Sequence, residues 1–393
     1  MNEDIYQKSI KAHQKSRGKL ATLPKIPVEN ADDLSVAYTP GVAGPCRAIV
    51  DDPDMAYELT SKWNTVAVVT DGSAVLGLGD IGPLASLPVM EGKSILLKRF
   101  ADIDSFPLAI NSQNTDEIIR TVSLLTSSLG AINLEDISAP RCFEIEERLQ
   151  EICDIPVFHD DQHGTAVITV AGLLNALKLA EKDISEVKIV VSGAGAAGNA
   201  VVRFLLAFGA RRIIVTNRSG AIYRGRPGHT NWALDALAKI TNPDNEMGDL
   251  AQVMRGSDVF IGLSAPGLVS REMVASMAPK AIVLPLANPA PEIYPDEAKA
   301  AGALVVGTGR SDFPNQFNNC LGFPGLFRGA LDCRARVINE EMKIAAARAL
   351  SELIPEGDLT PDYIIASVFD PRVVPAIAAG VVEAARTSGA ARI

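Results

Sequence analysis

Two pairs of adjacent acids, Glu135-Asp136 and Asp160-Asp161, are placed where they could do chemistry. Each follows a short apolar run, Ala131-Ile132-Asn133-Leu134 in one case and Pro156-Val157-Phe158 in the other. Such runs read as buried strands, and α/β folds bind ligands beyond the carboxyl ends of strands. Carboxylates converging there make a hard, oxygen-rich site suited to Mg2+ or Mn2+. Helix capping is the simpler use of an Asp. It would account for Asp136 alone, but less well for two acidic pairs at two strand ends. His159 and His163 flank the second pair at the spacing of a zinc-protease HExxH helix. Asp160 fills the Glu position of that motif and Gly164 is expected to cut the helix, so a zinc hydrolase is not the expectation.

Gly193-Ala194-Gly195-Ala196-Ala197-Gly198 is a G-x-G-x-x-G between an apolar strand and an apolar helix. This is the context in which glycines let the backbone approach a pyrophosphate at a helix N-terminus. About 20 residues further on, an NAD site usually carries an acid for the ribose hydroxyls. Here neutral Asn217 stands in that place with Arg218 beside it, which favours a 2′-phosphate and hence NADP over NAD. A second match, Gly77-Leu78-Gly79-Asp80-Ile81-Gly82, holds a carboxylate that would repel a pyrophosphate. With Pro83 following and a poor helix beyond, it reads as a sharp turn shaping the site.

Candidate acid-base groups are Tyr38, in Val36-Ala37-Tyr38-Thr39-Pro40-Gly41, and Lys93, expected at the start of a strand over Ser94–Leu97. A lysine buried beside a metal loses its proton more readily and suits a general base.

The elements that must hold these groups alternate strand and helix. In the first half, strands are expected at Val66–Val69, Ser94–Leu97, Ala131–Leu134 and Pro156–Phe158, with helices at 115–129, 142–152 and 165–178. In the second half, strands at 187–191, 213–216, 259–263, 281–286 and 304–306 alternate with helices, as in a doubly wound parallel sheet. Helices are also expected over 328–352 and 373–385. The fold expected is α/β, an N-terminal α/β catalytic domain (1–164) followed by a Rossmann-like domain with C-terminal helices (165–393). The chain has 393 residues, 47% of them hydrophobic and 21% charged, and a net charge of −10. It shows no basic patch, which argues against nucleic acid. The five scattered cysteines read as small buried residues in a reducing compartment. With no apolar leader and no apolar run of the ~18 residues a membrane span needs, the expectation is a cytoplasmic protein.

Taken together, these segments resemble the malic enzyme family, in its compact bacterial form. Tyr38-Thr39-Pro40-Gly41-Val42-Ala43 is similar to the segment around the catalytic tyrosine. Thr70-Asp71-Gly72 through Gly92-Lys93 is similar to the one carrying the catalytic lysine. Ile132–Asp136 and Phe158–Thr165 resemble the two metal-binding stretches, and Leu286–Pro289 and Phe313–Asn319 resemble the asparagine motifs. The match runs in unbroken order from about Tyr38 to Glu341.

The resemblance implies oxidative decarboxylation of malate to pyruvate with NADP or NAD. It implies Lys93 as base, Tyr38 as the acid protonating the enol, and Asp160 tuning Lys93. Glu135, Asp136 and Asp161 would be metal ligands, and Asn288 and Asn319 would orient substrate and nicotinamide ribose. It also implies a homodimer in which the segment bearing Tyr38 reaches the partner's site. Larger malic enzymes clamp a substrate carboxylate with an arginine in the Thr-Asp-Gly segment. Here Ser73-Ala74-Val75 stand there, leaving Arg99 and the asparagines as weak candidates. The close rival is a malolactic enzyme, which releases lactate from the same site. A non-catalytic dinucleotide sensor would need neither Tyr38, Lys93 nor the acids.

Overall fold

The computed structural model describes residues 2–75, 77–228 and 231–393. Strands β1 (Thr65–Thr70), β2 (Asp104–Ala109), β3 (Ala131–Leu134) and β4 (Val157–His159) form a parallel sheet in the order β2-β1-β3-β4. The register sets Val69 beside Leu134 and Leu134 beside His159, so the ends of β1, β3 and β4 lie level. Glu135-Asp136 and Asp160-Asp161 therefore leave the sheet at one edge.

The second sheet contains β5 (Lys188–Ser192), β6 (Arg212–Asn217), β7 (Gly220–Ala221), β8 (Val259–Gly262), β9 (Ile282–Pro285) and β10 (Val305–Val306), in the order β10-β9-β8-β5-β6-β7. All its pairings are parallel except β6 with β7. The order reverses beside β5, the switch point where doubly wound sheets bind ligands.

Several local expectations are corrected. Ser94–Leu97 is not a strand but part of a helix spanning Gly82–Ala101. Its buried residues Ser86, Met90, Ser94, Leu97 and Ala101 recur every three or four positions, a helical stripe that a four-residue apolar window hides. The edge strand is β2 instead, disguised by Pro107, which an edge position tolerates. The same helix shows that the second glycine-rich turn does open a long helix: Gly77, Gly79 and Gly82 all take positive φ, and Pro83 sits in the first turn.

The helix expected from Thr165 begins at Asp160 and runs unbroken to Ala180. Gly164 does not interrupt it, and a Cβ there would stand 1.8 Å from Asp160 Oδ1. The glycine makes room for that carboxylate. The span 328–352 is two helices, Phe323–Asp332 and Glu340–Glu352, the second capped by Asn339 Oδ1 accepting from Met342 N–H. Of the cysteines, Cys142 and Cys333 are buried but Cys46 is exposed.

Helix Asp160–Ala180 is long and apolar enough to cross a membrane, yet most of it is buried in the protein interior. One continuous core joins Val66, Val68, Met90 and Leu97 beneath the first sheet to Val167, Val170, Leu173, Val191, Val201 and Ile261 around the second. Helix Phe323–Asp332 closes this core against Val373–Thr387 through glycines. A Cβ on Gly329 would meet Val381 Cβ at 2.7 Å, and one on Gly325 would meet Ile377 Cβ at 2.7 Å. Gly329→Val should overpack this crossing at a cost of about 1–3 kcal/mol, seen as a lowered midpoint in thermal denaturation. An unchanged midpoint would mean the two helices are free to move apart.

Candidate active site

Between the sheets lies a cleft of about 1120 Å³. Its walls include Lys93, Glu135, Asp136, Asp161, the glycine loop from Gly195 to Gly198, Asn288 and Asn319. Lys93 lies in the middle of helix Gly82–Ala101, not at a strand start, and its side chain crosses to the ends of β3 and β4. Its Nζ donates to Asp160 Oδ2 at 2.6 Å and lies 2.8 Å from Glu135 Oε1, with the Phe323 ring centroid 4.5 Å away. Burial pulls the Lys93 ammonium down, but Asp160, Glu135 and Asp161 together outweigh it and hold its pKa well above the usual value. Surrounded by acids alone, Lys93 keeps its proton. Burial by itself did not predict that.

Glu135, Asp136 and Asp161 each offer an oxygen within 4.8 Å of the others. Burial raises the Glu135 carboxyl well above its ordinary range; Lys93 opposes this, and Asp161, Asp160 and Asp136 add to it. Hard oxygens crowded against their own repulsion are the donor set that a Mg2+ or Mn2+ ion fits. Asp136 holds a left-handed φ of 55°, an outlier of the kind that concentrates at functional sites, and its N–H donates to Asp161 Oδ2 at 2.7 Å. Asn133 Nδ2 donates to Glu135 Oε2 at 2.8 Å.

The histidines stand behind this cluster. His159 Nε2 is 3.8 Å from Asp161 Oδ2, while His163 Nε2 bonds Glu146 Oε2 at 2.9 Å. Buried Glu146 also accepts from the His159 N–H and from Gln162, and so fixes the first turn of the helix that carries Asp160 and Asp161. Asn319 Nδ2 donates to Asp160 Oδ2 at 3.0 Å, placing this asparagine directly on the lysine's counter-ion.

Across the cleft, Gly193 takes a φ of 117°, and a Cβ on it would stand 2.4 Å from the Leu263 carbonyl oxygen. A Cβ on Gly198 would stand 1.9 Å from the Gly193 carbonyl oxygen. Both positions therefore require glycine. Gly195 caps helix Ala196–Ala207 and faces open space. Ala194 and Gly195 share a smaller neighbouring cavity with Asn217, at the end of β6.

Asn288 follows β9 in a loop held by buried Glu292, which accepts from the Ser264 and Ala287 N–H groups; Gly309 leaves room for the asparagine amide. Nothing in the spacing of the chain pointed to Glu292.

Three expected residues are not on the wall of the cleft. Arg218 is exposed; the guanidinium on Asn217 is that of Arg226, whose Nη2 donates to Asn217 Oδ1 at 2.9 Å. It was missed because it lies nine positions along, on a loop that folds back. Arg99 is exposed and lines a different cavity, because a helix turns position 99 away from the face of position 93. Tyr38 caps the C-terminus of helix Ala31–Ala37, is 66% exposed and does not line the cleft.

A dinucleotide-type glycine loop facing a buried lysine and a cluster of acids is the site of a nicotinamide-dependent oxidoreductase. Comparison with known proteins gives the family. Residues 17–150 match the malic enzyme N-terminal domain and residues 162–386 the malic enzyme NAD binding domain. The bifunctional malic/malolactic enzyme of Bacillus subtilis is 55% identical over 99% of this chain and 95% of its own length. The NAD-dependent malic enzyme of Geobacillus stearothermophilus is 57% identical over 95% of this chain and 78% of its own. The crystal structure of the NAD-dependent malic enzyme of Thermotoga maritima superposes with a TM-score of 0.92 at 46% identity, covering 95% of this chain and 98% of that one. The chain belongs to the malic enzyme family, the NAD(P)-dependent oxidoreductases that decarboxylate their substrate.

Asp161→Asn removes one charge from the acid cluster and should weaken Mn2+ binding by about 100-fold, at or beyond the upper end of what outer-shell changes cost. Titration followed by Mn2+ electron paramagnetic resonance measures this, and unchanged affinity would remove Asp161 from the ligand set.

Proposed function

We propose that the protein oxidatively decarboxylates (S)-malate to pyruvate and CO2, with NADP as its preferred cofactor and Mg2+ or Mn2+ as its metal. The observation that carries this reading is the bridge from Lys93 to both Asp160 and Glu135 at 2.6 and 2.8 Å, which joins a proton-transfer group to the acid cluster. Glu135, Asp136 and Asp161 would hold the cation. When bound, the cation polarises the C2 oxygen and stabilises the charge left by CO2, while the nicotinamide accepts the hydride.

Glu135 and Asp161 cannot spend their charge on both a cation and Lys93. With a cation held there, Lys93 would keep Asp160 as its counter-ion and would release its ammonium proton to solvent more readily, leaving a neutral amine. It then takes the proton of the C2 hydroxyl. Asp160, itself fixed by Asn319, sets the lysine's position and proton affinity. The glycine loop Gly193–Gly198 binds the pyrophosphate at the N-terminus of helix Ala196–Ala207. Asn288 and Asn319 donate to substrate and ribose.

Tyr38 would protonate C3 of the enol, and since it is outside its own cleft, it serves the cleft of a second copy in a homodimer. The exposure of Leu23, Ile26, Val28, Val36 and Val50 along the same segment supports that arrangement. Arg226 on Asn217 supports the preference for NADP, because a guanidinium at the end of β6 pairs with a 2′-phosphate where an acid would repel it.

Absorbance of reduced nicotinamide with malate and Mn2+ tests the reading. NADP reduction with pyruvate formed is the expected outcome, and Lys93→Ala should lower kcat by at least about 10²-fold, as loss of a general base does, while NADP binding stays within about twofold. Lactate accumulating without net reduction would replace the reading with the malolactic one. Arg226→Gln should shift kcat/KM toward NAD by about tenfold or more, the worth of one charge-assisted contact; an unmoved ratio would remove Arg226 from cofactor discrimination.

A further inference from the structure

The substrate read above has two carboxylates, yet the cleft that would bind it is lined by acids. Among the described residues, the ammonium groups on its wall are those of Lys93 and Lys19, and no arginine lines it. Lys93 is taken by Asp160 and Glu135. Arg141, the nearest arginine to the Thr-Asp-Gly turn, spends its guanidinium on Asp71 Oδ2 at 2.8 Å, on the Ser73 and Ser138 hydroxyls, and on the Gln113 carbonyl. Ala74 lines the cleft with a methyl group. Lys19 is left.

The chain beyond the N-terminal helix (Asn2–Ser16) is tied to the lysine helix by the Lys19 N–H, which donates to Glu91 Oε2 at 2.8 Å. The Lys19 Nζ donates to the Pro88 carbonyl at 2.6 Å and lies 3.6 Å from where a Cβ on Gly92 would be, one residue before Lys93. An ammonium has three protons to donate, so two remain for a ligand. Burial lowers the Lys19 pKa against the opposing pull of Glu91, so its charge is not fully compensated by the protein. Beside it on the cleft wall, the His13 Nε2 is buried and has no hydrogen-bond partner among the described residues. The Lys19 ammonium awaits an acceptor; the His13 Nδ1 already donates to the Ser9 carbonyl at 2.7 Å, so the neutral ring turns the lone pair of Nε2 to the cleft.

The two carboxylates of the substrate differ in what they need. The one that leaves as CO2 must give up its charge, so a fixed cation on it would oppose the reaction, whereas neutral amides such as Asn288 and Asn319 would not. The one that stays keeps its charge from substrate to product, and a cation on it costs nothing in the transition state.

We propose that Lys19 binds the carboxylate that the substrate retains. The proposal rests on the reading of the protein as a malate-decarboxylating enzyme. Its test compares wild type with Lys19→Met, Lys19→Gln and Lys19→Arg, all with Mn2+ and NADP.

The two neutral variants should raise KM for malate roughly 10- to 100-fold, the worth of a charge-assisted contact, with kcat changed by less than about threefold and NADP affinity unchanged. Lys19→Arg should recover most of the loss. Inhibition by pyruvate and by pyruvamide separates recognition from scaffolding. The wild-type preference for the carboxylate over the amide should fall about tenfold in Lys19→Met, since only a direct contact couples the two changes. An unmoved KM in whichever neutral variant folds, or equal losses for pyruvate and pyruvamide, overturns the assignment. A wild type that does not turn over malate at all overturns the functional reading, and this inference with it.

Discussion

The buried contact between Lys93 and the pair Asp160 and Glu135 is the constraint around which the structure is arranged. Placing a lysine and two carboxylates out of water carries a desolvation cost of several kcal/mol per ion, which their attraction offsets only when the geometry is nearly ideal. The fold meets that condition from three directions. Helix Gly82–Ala101 brings the ammonium in from one side. The register of β3 and β4 sets the two acids at one height. The N-terminal turn of helix Asp160–Ala180 adds its dipole behind Asp160. Gly164, one turn on, is the space that the Asp160 side chain fills. The Phe323 ring covers the remaining face of the ammonium. Binding of a cation or a substrate then changes a balance already held in tension.

The parts of this arrangement that could be read from the chain are those with a local signal. Acids after strands, glycines before an apolar helix, and the unbroken order of motifs from Tyr38 onward do not depend on tertiary detail. What could not be read is equally specific. A lysine in an apolar window looks alike on a strand and on a helix, and only the stripe from Ser86 to Ala101 distinguishes them. Gly164 reads as a helix breaker until the carboxylate it accommodates is seen. Arg226 reaches Asn217 only because the loop after β7 folds back, a non-local event with no periodicity. Glu292, buried beneath the loop of Asn288, carries no sequence signal at all.

The segment from Leu23 to Val50 differs from the rest of the molecule. Its helices Ala31–Ala37 and Ala43–Asp51 have no buried residue, though the segment includes leucines, valines and two isoleucines. Short helices of this kind draw their stability from packing and not from propensity. Their apolar faces stay exposed on the single chain, as does Tyr38 outside its own cleft.

The core running without interruption from the first sheet to the second has a consequence for how such a chain can change over time. Helix Asp160–Ala180 belongs to both sheets at once: its first turn completes the acid cluster and its body fills the interior of the dinucleotide-binding half. A cut anywhere along it would leave two fragments with raw apolar faces instead of two modules. Neither half can be traded for a homologous one without re-matching side chains along the whole seam.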